Sequence, residues 1–153
     1  MNFASIKSVL KHKTVGIAGC GGLGSNCAVA LARVGIGRLI IADFDVIEKS
    51  NLNRQYFFYD QIGTLKADAL KENIRRVNPE VKVEAHNVYL DQSNFPVIFS
   101  DCDVIVEAFD RTEMKEMILR SVSEFSPEKY LVMGIGMAGW GKNNLIAEKR
   151  YEK

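Results

Sequence analysis

VGIAGCGGLGSN, residues 15–26, places five glycines in twelve positions and decides how the rest of the chain is to be read. Residues 13–19 form an apolar run that ends on glycine. Residues 23–35 then carry Leu23, Cys27, Ala30, Leu31 and Val34 at helical spacing and close on Gly35. A strand that stops on glycine and runs into a helix is built to hold phosphate. Small residues let backbone N–H groups approach the anion, and the helix N-terminus adds a fractional positive charge. Gly19, Gly21 and Gly24 match the G-x-G-x-x-G pattern in that strand-to-helix context, with Gly22 between them.

Working outward, strand and helix patterns alternate. Residues 3–11 have a weak helical pattern. RLIIAD (38–43) is an apolar strand that stops on an acid, and FDVIEKSNLNRQYFFYDQIG (44–63) is a long polar stretch without regular periodicity. A loop of that length inside a compact domain is usually functional. Ala67, Leu70, Ile74 and Val77 share one helical face within 64–77, and the proline of NPE (78–80) ends that helix. VKVEAHN (81–87) alternates as a strand, and a short helix is expected over 93–100. CDVIVEAF (102–109) is a buried strand followed by Asp110, and Met114, Ile118, Ser121, Val122 and Phe125 mark another helix. KYLVMGIG (129–136) is a further strand, and the tail NNLIAEKRYEK fits a final edge strand. The expected fold is α/β: a Rossmann-like, doubly wound, mainly parallel sheet with helices on both faces. Ligands in such sheets bind beyond the carboxyl ends of the strands, where Gly19, Asp43, Asp110 and Gly134 to Gly136 fall.

With 153 residues, 47% of them hydrophobic, the chain fits one domain with a substantial core. A net charge of +1 gives nucleic acid or an anionic membrane no electrostatic reason to bind. No apolar run reaches the roughly 18 residues of a spanning helix. The N-terminal residues lack the features of a secretory signal, so a cytoplasmic protein is expected. Cys20, Cys27 and Cys102 contain no C-x-x-C pair, which leaves them as packing residues and gives no ground for zinc.

Asp43 lies 24 residues after Gly19, where it could accept hydrogen bonds from ribose hydroxyls. To this point a nicotinamide or flavin enzyme remains open. Two features weigh against a dehydrogenase. His86 is the only histidine after Asp43, and it sits within a strand pattern. SNLNRQ (50–55) presents amides and a guanidinium in one tight run, groups suited to oxyanions. Lys66 follows at the start of a helix, and Asp110 closes the next buried strand. A glycine loop, an arginine, a lysine and a carboxylate able to hold magnesium point to nucleoside triphosphate chemistry.

GCGGLGS, DFDVIEKSNLNRQ, IGTLKADAL, VNPE, CDVIVEAFD and GIGMAGWG together resemble the ThiF/MoeB/HesA family, relatives of the ubiquitin-activating enzymes, over roughly residues 13–140. NLNRQ and EAFD look most like the compact ThiF-type proteins of thiamine biosynthesis. The resemblance implies ATP- and Mg2+-dependent adenylation of the C-terminal glycine of a small ubiquitin-like sulfur carrier protein ending in Gly-Gly, with release of pyrophosphate. A molybdopterin-type carrier is the alternative, and a nucleotide-binding module without turnover is another. In that scheme Gly19, Gly21, Gly22 and Gly24 seat the nucleotide. Asp43 takes the ribose hydroxyls with Asp45 nearby, and Asn51, Arg54 and Gln55 hold the β- and γ-phosphates. Lys66 neutralises charge at the α-phosphate, and Asp110 anchors magnesium.

Duller roles stand beside these: Asp45 could cap its loop, Ser25 and Asn26 could merely begin the helix, and Phe57, Phe58 and Tyr59 could pack the loop or stack on adenine. The resemblance also implies a homodimer. The chain has no arginine before Arg33, where many relatives use one near the N-terminus, and it has no cysteine after Cys102. Residues 1–153 are therefore expected to form one ATP-binding adenylation domain that is truncated at its C-terminus.

Overall fold

Four short apolar runs and the alternating segment at 81–87 become five parallel strands. In the computed structural model, which describes residues 2–134, β1 (Thr14–Ala18), β2 (Arg38–Ala42), β3 (Lys82–His86), β4 (Val104–Glu107) and β5 (Tyr130–Met133) lie in the order β3-β2-β1-β4-β5. Crossovers between parallel neighbours need helices, and they are supplied by α2 (Gly22–Val34), α3 (Lys66–Val77), the single turn α4 (Phe95–Ile98) and α5 (Thr112–Phe125). An N-terminal helix, α1 (Phe3–Leu10), precedes the sheet. This is the α/β, doubly wound arrangement expected from the alternation, with the chain reversing its direction of travel between β1 and β4.

Burial explains why the strands read as continuous apolar runs. Ile17, Leu39 and Ile41 face one layer, where they meet Ala28, Val29 and Ala32 of α2 and Ala67, Leu70 and Ile74 of α3. Ala18, Ile40 and Ile105 face the other, against Phe95, Phe99 and the Met114, Ile118 and Val122 stripe of α5. The inner strands β1, β2 and β4 thus alternate between two apolar layers rather than between core and water, whereas the edge strand β5 turns Tyr130 and Val132 outward. Cys20 and Cys102 are buried in these two layers and Cys27 is half-buried, all three as free thiols. Burial pushes the Cys102 thiol up to about 12 and the Cys20 thiol well above its ordinary value, which makes both packing residues.

Register sets the site. Ala18 pairs with Ala42 and with Glu107, Ala42 with His86, and Glu107 with Met133. One row therefore crosses the whole sheet at its carboxyl edge, and the next residues, Gly19, Asp43, Ala108 and Gly134, emerge side by side. The long polar stretch after β2 holds two 3-10 turns, Lys49–Asn51 and Tyr59–Gln61, and an antiparallel bridge between Val46 and Leu65. Element ends differ from the sequence reading by a few residues. The short helix of 93–100 contracts to Phe95–Ile98, and the strand of 129–136 to Tyr130–Met133. Gly136, most of GIGMAGWG and the tail strand lie outside the described residues. Among the described residues, no helix is long and apolar enough to cross a membrane.

At the opposite edge of the sheet, the Asp103 carboxylate accepts hydrogen bonds from Lys13 Nζ at 2.7 Å and from the Thr14 N–H at 2.8 Å, tying the start of β4 to the start of β1. The Lys13 contact, with the Thr14 N–H second, holds the Asp103 carboxyl below its ordinary value. A depressed carboxyl stabilises the fold above its unfolded-state value near pH ~4, and that contribution is lost as pH falls through the depressed value. Asp103→Asn should lower the urea midpoint at pH 7, and the gap from the parent chain should close as pH is taken from 5 to below 3. A gap that does not change with pH would contradict this role for the carboxylate.

Candidate functional site

The site begins where β1 stops. Gly19 adopts φ +97°, a left-handed conformation that a side chain at this position would strain, and this turns the chain from β1 into the loop before α2. A Cβ on Gly24 would sit 1.8 Å from the Gly19 carbonyl oxygen, so only glycine lets the first turn of α2 close onto the strand end. Gly21 and Gly22 have more room; the nearest atoms to a Cβ there belong to Gln55 at 3.8 Å and Arg54 at 3.4 Å.

Asp43 is 4% exposed and joins two of the loops that surround the site. Its Oδ2 accepts from the Cys20 N–H at 2.6 Å and its Oδ1 from the Asp45 N–H at 2.8 Å. Burial raises its carboxyl above the ordinary value, with these two N–H groups and the Lys66 charge opposing the rise. Asp45 in turn binds Lys66, Oδ2 to Nζ 2.7 Å, while the Lys66 N–H donates to the Asp45 carbonyl at 2.9 Å. The Lys66 side chain is buried and that of Asp45 is half exposed, so the ammonium is held at the crevice wall.

Polar side chains of α2 fasten the SNLNRQ segment to the glycine loop. Ser25 Oγ donates to the Gly21 carbonyl at 2.6 Å and accepts from the Tyr56 N–H at 2.9 Å. Asn26 Nδ2 donates to the carbonyls of Gly22 and Arg54. The Arg54 guanidinium donates to the Ser50 carbonyl and to Asn53 Oδ1. Gln55 borders the crevice, and its Oε1 is buried without a hydrogen-bond partner among the described residues. A buried orphan of this kind costs free energy unless a ligand satisfies it, and a half-turn of the amide would offer Nε2 instead.

The resulting crevice of about 720 Å3 is walled by Gly19, Gly21, Gly22, Asp43, Asp45, Arg54, Gln55, Lys66 and Asp110. Two residues expected on its wall are elsewhere. Gly24 is packed against the Gly19 carbonyl and shapes the loop from behind. Asn51 accepts the Glu48 N–H at 3.0 Å through Oδ1, which closes its own turn and places it off the wall. The aromatic run also divides differently. Phe57 is buried in the core, Phe58 packs edge-on against Tyr56 with Arg76 over its ring, and Tyr59 is exposed. The crevice aromatics are Phe44, Tyr89 and Phe109, and the ring centroids of the first two lie 5.0 Å apart. His86 sits on β3, bonded to Glu84, and is absent from the wall.

Sequence reasoning passed over Glu107 and Lys115. Glu107 ends β4 fully buried, accepting from the Phe109 N–H at 2.7 Å and from Lys115 Nζ at 2.7 Å. An acid inside the apolar run CDVIVEAF, eight residues before a lysine, was the available signal. Among the described residues no three His, Cys, Asp or Glu side chains cluster as a metal site. Asp110 is an exposed carboxylate on the wall, and one carboxylate with phosphate oxygens is a donor set that magnesium accepts.

The sequence profile of the ThiF family matches residues 5–149. The chain is 34% identical to ubiquitin-like modifier-activating enzyme 5 of Drosophila willistoni over 138 residues, covering 82% of this chain and 34% of that one. It is 41% identical to the SAMP-activating enzyme E1 of Haloferax volcanii over 102 residues, covering 66% of this chain and 38% of that one. Among solved structures, E. coli tRNA N6-threonylcarbamoyladenosine dehydratase TcdA in complex with ATP superposes with a TM-score of 0.79 at 28% identity, covering 84% of this chain and 53% of that one. E. coli MccB superposes with a TM-score of 0.66 at 32% identity, covering 72% and 31%. The chain therefore spans about a third of the length of the two curated relatives.

The close approach at Gly24 makes a direct prediction. Gly24→Ala should destabilise the fold by about 3 kcal/mol, since the added carbon meets backbone rather than a movable side chain. Gly21→Ala should leave stability within about 1 kcal/mol, because the space beside it is open. Urea unfolding of the two variants checks the difference, and equal midpoints would contradict the packing role of Gly24.

Proposed function

The chain belongs to the ThiF family, and from that premise we propose that it adenylates the terminal carboxylate of a ubiquitin-like protein, consuming ATP and releasing pyrophosphate. What carries the reading is the meeting of Arg54, Lys66 and Asp110 with the Gly19–Gly22 loop around one crevice. The acceptor carboxylate oxygen forms a bond to the α-phosphorus as the bond from that phosphorus to the β-bridging oxygen breaks, and pyrophosphate leaves with the electron pair. Two anions must meet, so fixed cations and N–H dipoles have to offset their repulsion in a site shielded from water. No general base is needed, because a terminal carboxyl with a value of about 3.5 is already ionised at neutral pH. That fits a crevice without a histidine on its wall.

In this scheme the loop N–H groups and the N-terminus of α2 seat phosphate. Asp43 keeps lone pairs for ribose hydroxyls while its two backbone bonds fix its orientation. Arg54 and Gln55 face the β- and γ-phosphates. Lys66, steadied by Asp45, faces the charge that gathers at the α-phosphate. Asp110 would hold Mg2+, which when bound offsets phosphate charge. Phe44 and Tyr89 offer the apolar, aromatic surface that a base requires. The finer reading, a ThiS-like sulfur carrier ending in Gly-Gly in thiamine biosynthesis, is supported by the NLNRQ and EAFD motifs.

Acceptor-dependent ATP–pyrophosphate exchange tests the reaction. Label should enter ATP only when a ubiquitin-like protein with a free C-terminal Gly-Gly is present, and comparing ThiS-like, molybdopterin-type and SAMP-type carriers identifies the substrate. Arg54→Ala and Lys66→Ala should each cut exchange by about a hundredfold, the usual loss when one group facing developing charge is removed. ATP binding without exchange for any carrier would identify a nucleotide-binding module instead.

A further inference from the structure

The β5 end of the crevice has charges of its own. Glu107 is 0% exposed at the end of β4. Lys115, on the first turn of α5, gives one N–H to Glu107 Oε2 at 2.7 Å and one to the Gly134 carbonyl at 3.0 Å. An ammonium has three donors, so one remains without a partner among the described residues, and Lys115 lies on the crevice wall. Arg111 stands one helical turn earlier, at i and i+4 from Lys115, on the same wall. It is exposed, and its guanidinium makes no hydrogen bond or ion pair among the described residues. Leu23 and Gly134 form the lip beside them, where a Cβ on Gly134 would lie 3.3 Å from Leu23 Cδ2.

This pair is expensive if its only task is packing. Burying a carboxylate and an ammonium removes solvation that an apolar pair of equal volume would never need to replace. Here each carboxylate oxygen already has a donor and the group is fully buried, while the ammonium keeps a donor on a wall open to ligand. The donors that remain select the ligand. Glu107 is already engaged by Lys115, which leaves the Arg111 guanidinium and one Lys115 N–H facing the crevice, a set that suits a planar carboxylate.

We infer that Arg111 and Lys115 form an acceptor subsite that grips a polypeptide's terminal carboxylate at the β5 end of the crevice, with Glu107 and the Gly134 carbonyl positioning the ammonium. The inference rests on the adenylation reading and deepens it. Neither residue bonds to the nucleotide. Their contribution is to hold one reactant still and to offset its charge.

The test uses the full chain, a saturating concentration of a non-hydrolysable ATP analogue, and two synthetic peptides ending in Gly-Gly, one with a free carboxylate and one amidated. NMR titration should show the acid moving the amide signals of Arg111–Lys115 and Gly134, with the amide at least about tenfold weaker, the loss expected for one charge-assisted hydrogen bond. Lys115→Met alone strands the buried Glu107 charge and risks misfolding, so the variants are Arg111→Ala and the charge-free pair Glu107→Gln/Lys115→Met. Each should weaken the acid peptide about tenfold while nucleotide affinity, measured by calorimetry, stays within about twofold.

Equal binding of acid and amide would overturn the subsite. So would acid-induced shifts confined to the glycine loop, or an undiminished acid affinity in both variants. Acid-specific binding at Arg111–Lys115 in a protein that shows no exchange with any carrier would uphold the subsite and sink the adenylation reading.

Discussion

A single buried carboxylate holds the crevice together. Asp43 gives up nearly all contact with water, and in return its two oxygens take the N–H groups of Cys20 and Asp45. Those donors belong to the loops that follow β1 and β2, so the glycine turn and the second strand end are fixed to each other through one side chain. The Asp45 end of that bond carries onward, because Asp45 pairs with Lys66 through both its backbone and its carboxylate. A loop that would otherwise wander is thereby set in register with the start of α3. Without Asp43, the glycine loop and the Lys66 ammonium would share no common anchor.

The other side of the loop is held by α2. Ser25 and Asn26 reach from the first turns of that helix to the Tyr56 N–H and the Arg54 carbonyl. Asn73 of α3 adds a third attachment through the Tyr56 carbonyl and Gln61. The segment 50–61 lacks long secondary structure, yet the Arg54 carbonyl and both backbone groups of Tyr56 are bonded by side chains of the two helices that flank it, while local turns take up several others. Arg54 and Gln55 can then stand at the wall on a segment that is itself anchored, which is the requirement for a group meant to meet charge without reorganising.

Much of this was legible in the sequence, and what was not has physical causes. Strand runs such as RLIIAD and CDVIVEAF announce two buried faces by lacking alternation, so the parallel sheet and the level strand ends could be foreseen. The glycines declared a tight turn, but pattern alone could not separate Gly24, which is needed for close packing, from Gly21 and Gly22, which border open space. Asn51 looked like an oxyanion donor because its neighbours are. Only three-dimensional turn geometry reveals that its side chain is already used to close a turn. Glu107 was hidden for the opposite reason. A charged residue in an apolar run is conspicuous only once its partner is known, and Lys115 comes from a different element. Likewise Phe44 and Tyr89 are far apart in sequence and meet only because β2 and β3 are neighbours.

The two apolar layers divide the crevice between them. The glycine turn leads into α2 and Lys66 opens α3, both packed against one face of the sheet, with the Arg54 loop tied to α2, whereas α5, which follows Asp110 and carries Lys115, is packed against the other. β1, β2 and β4 each send alternate side chains into both layers, so the sheet is shared by the two walls. A change in its twist would disturb the packing beneath both walls at once. The width of the crevice is thereby set by the same side chains that form the core.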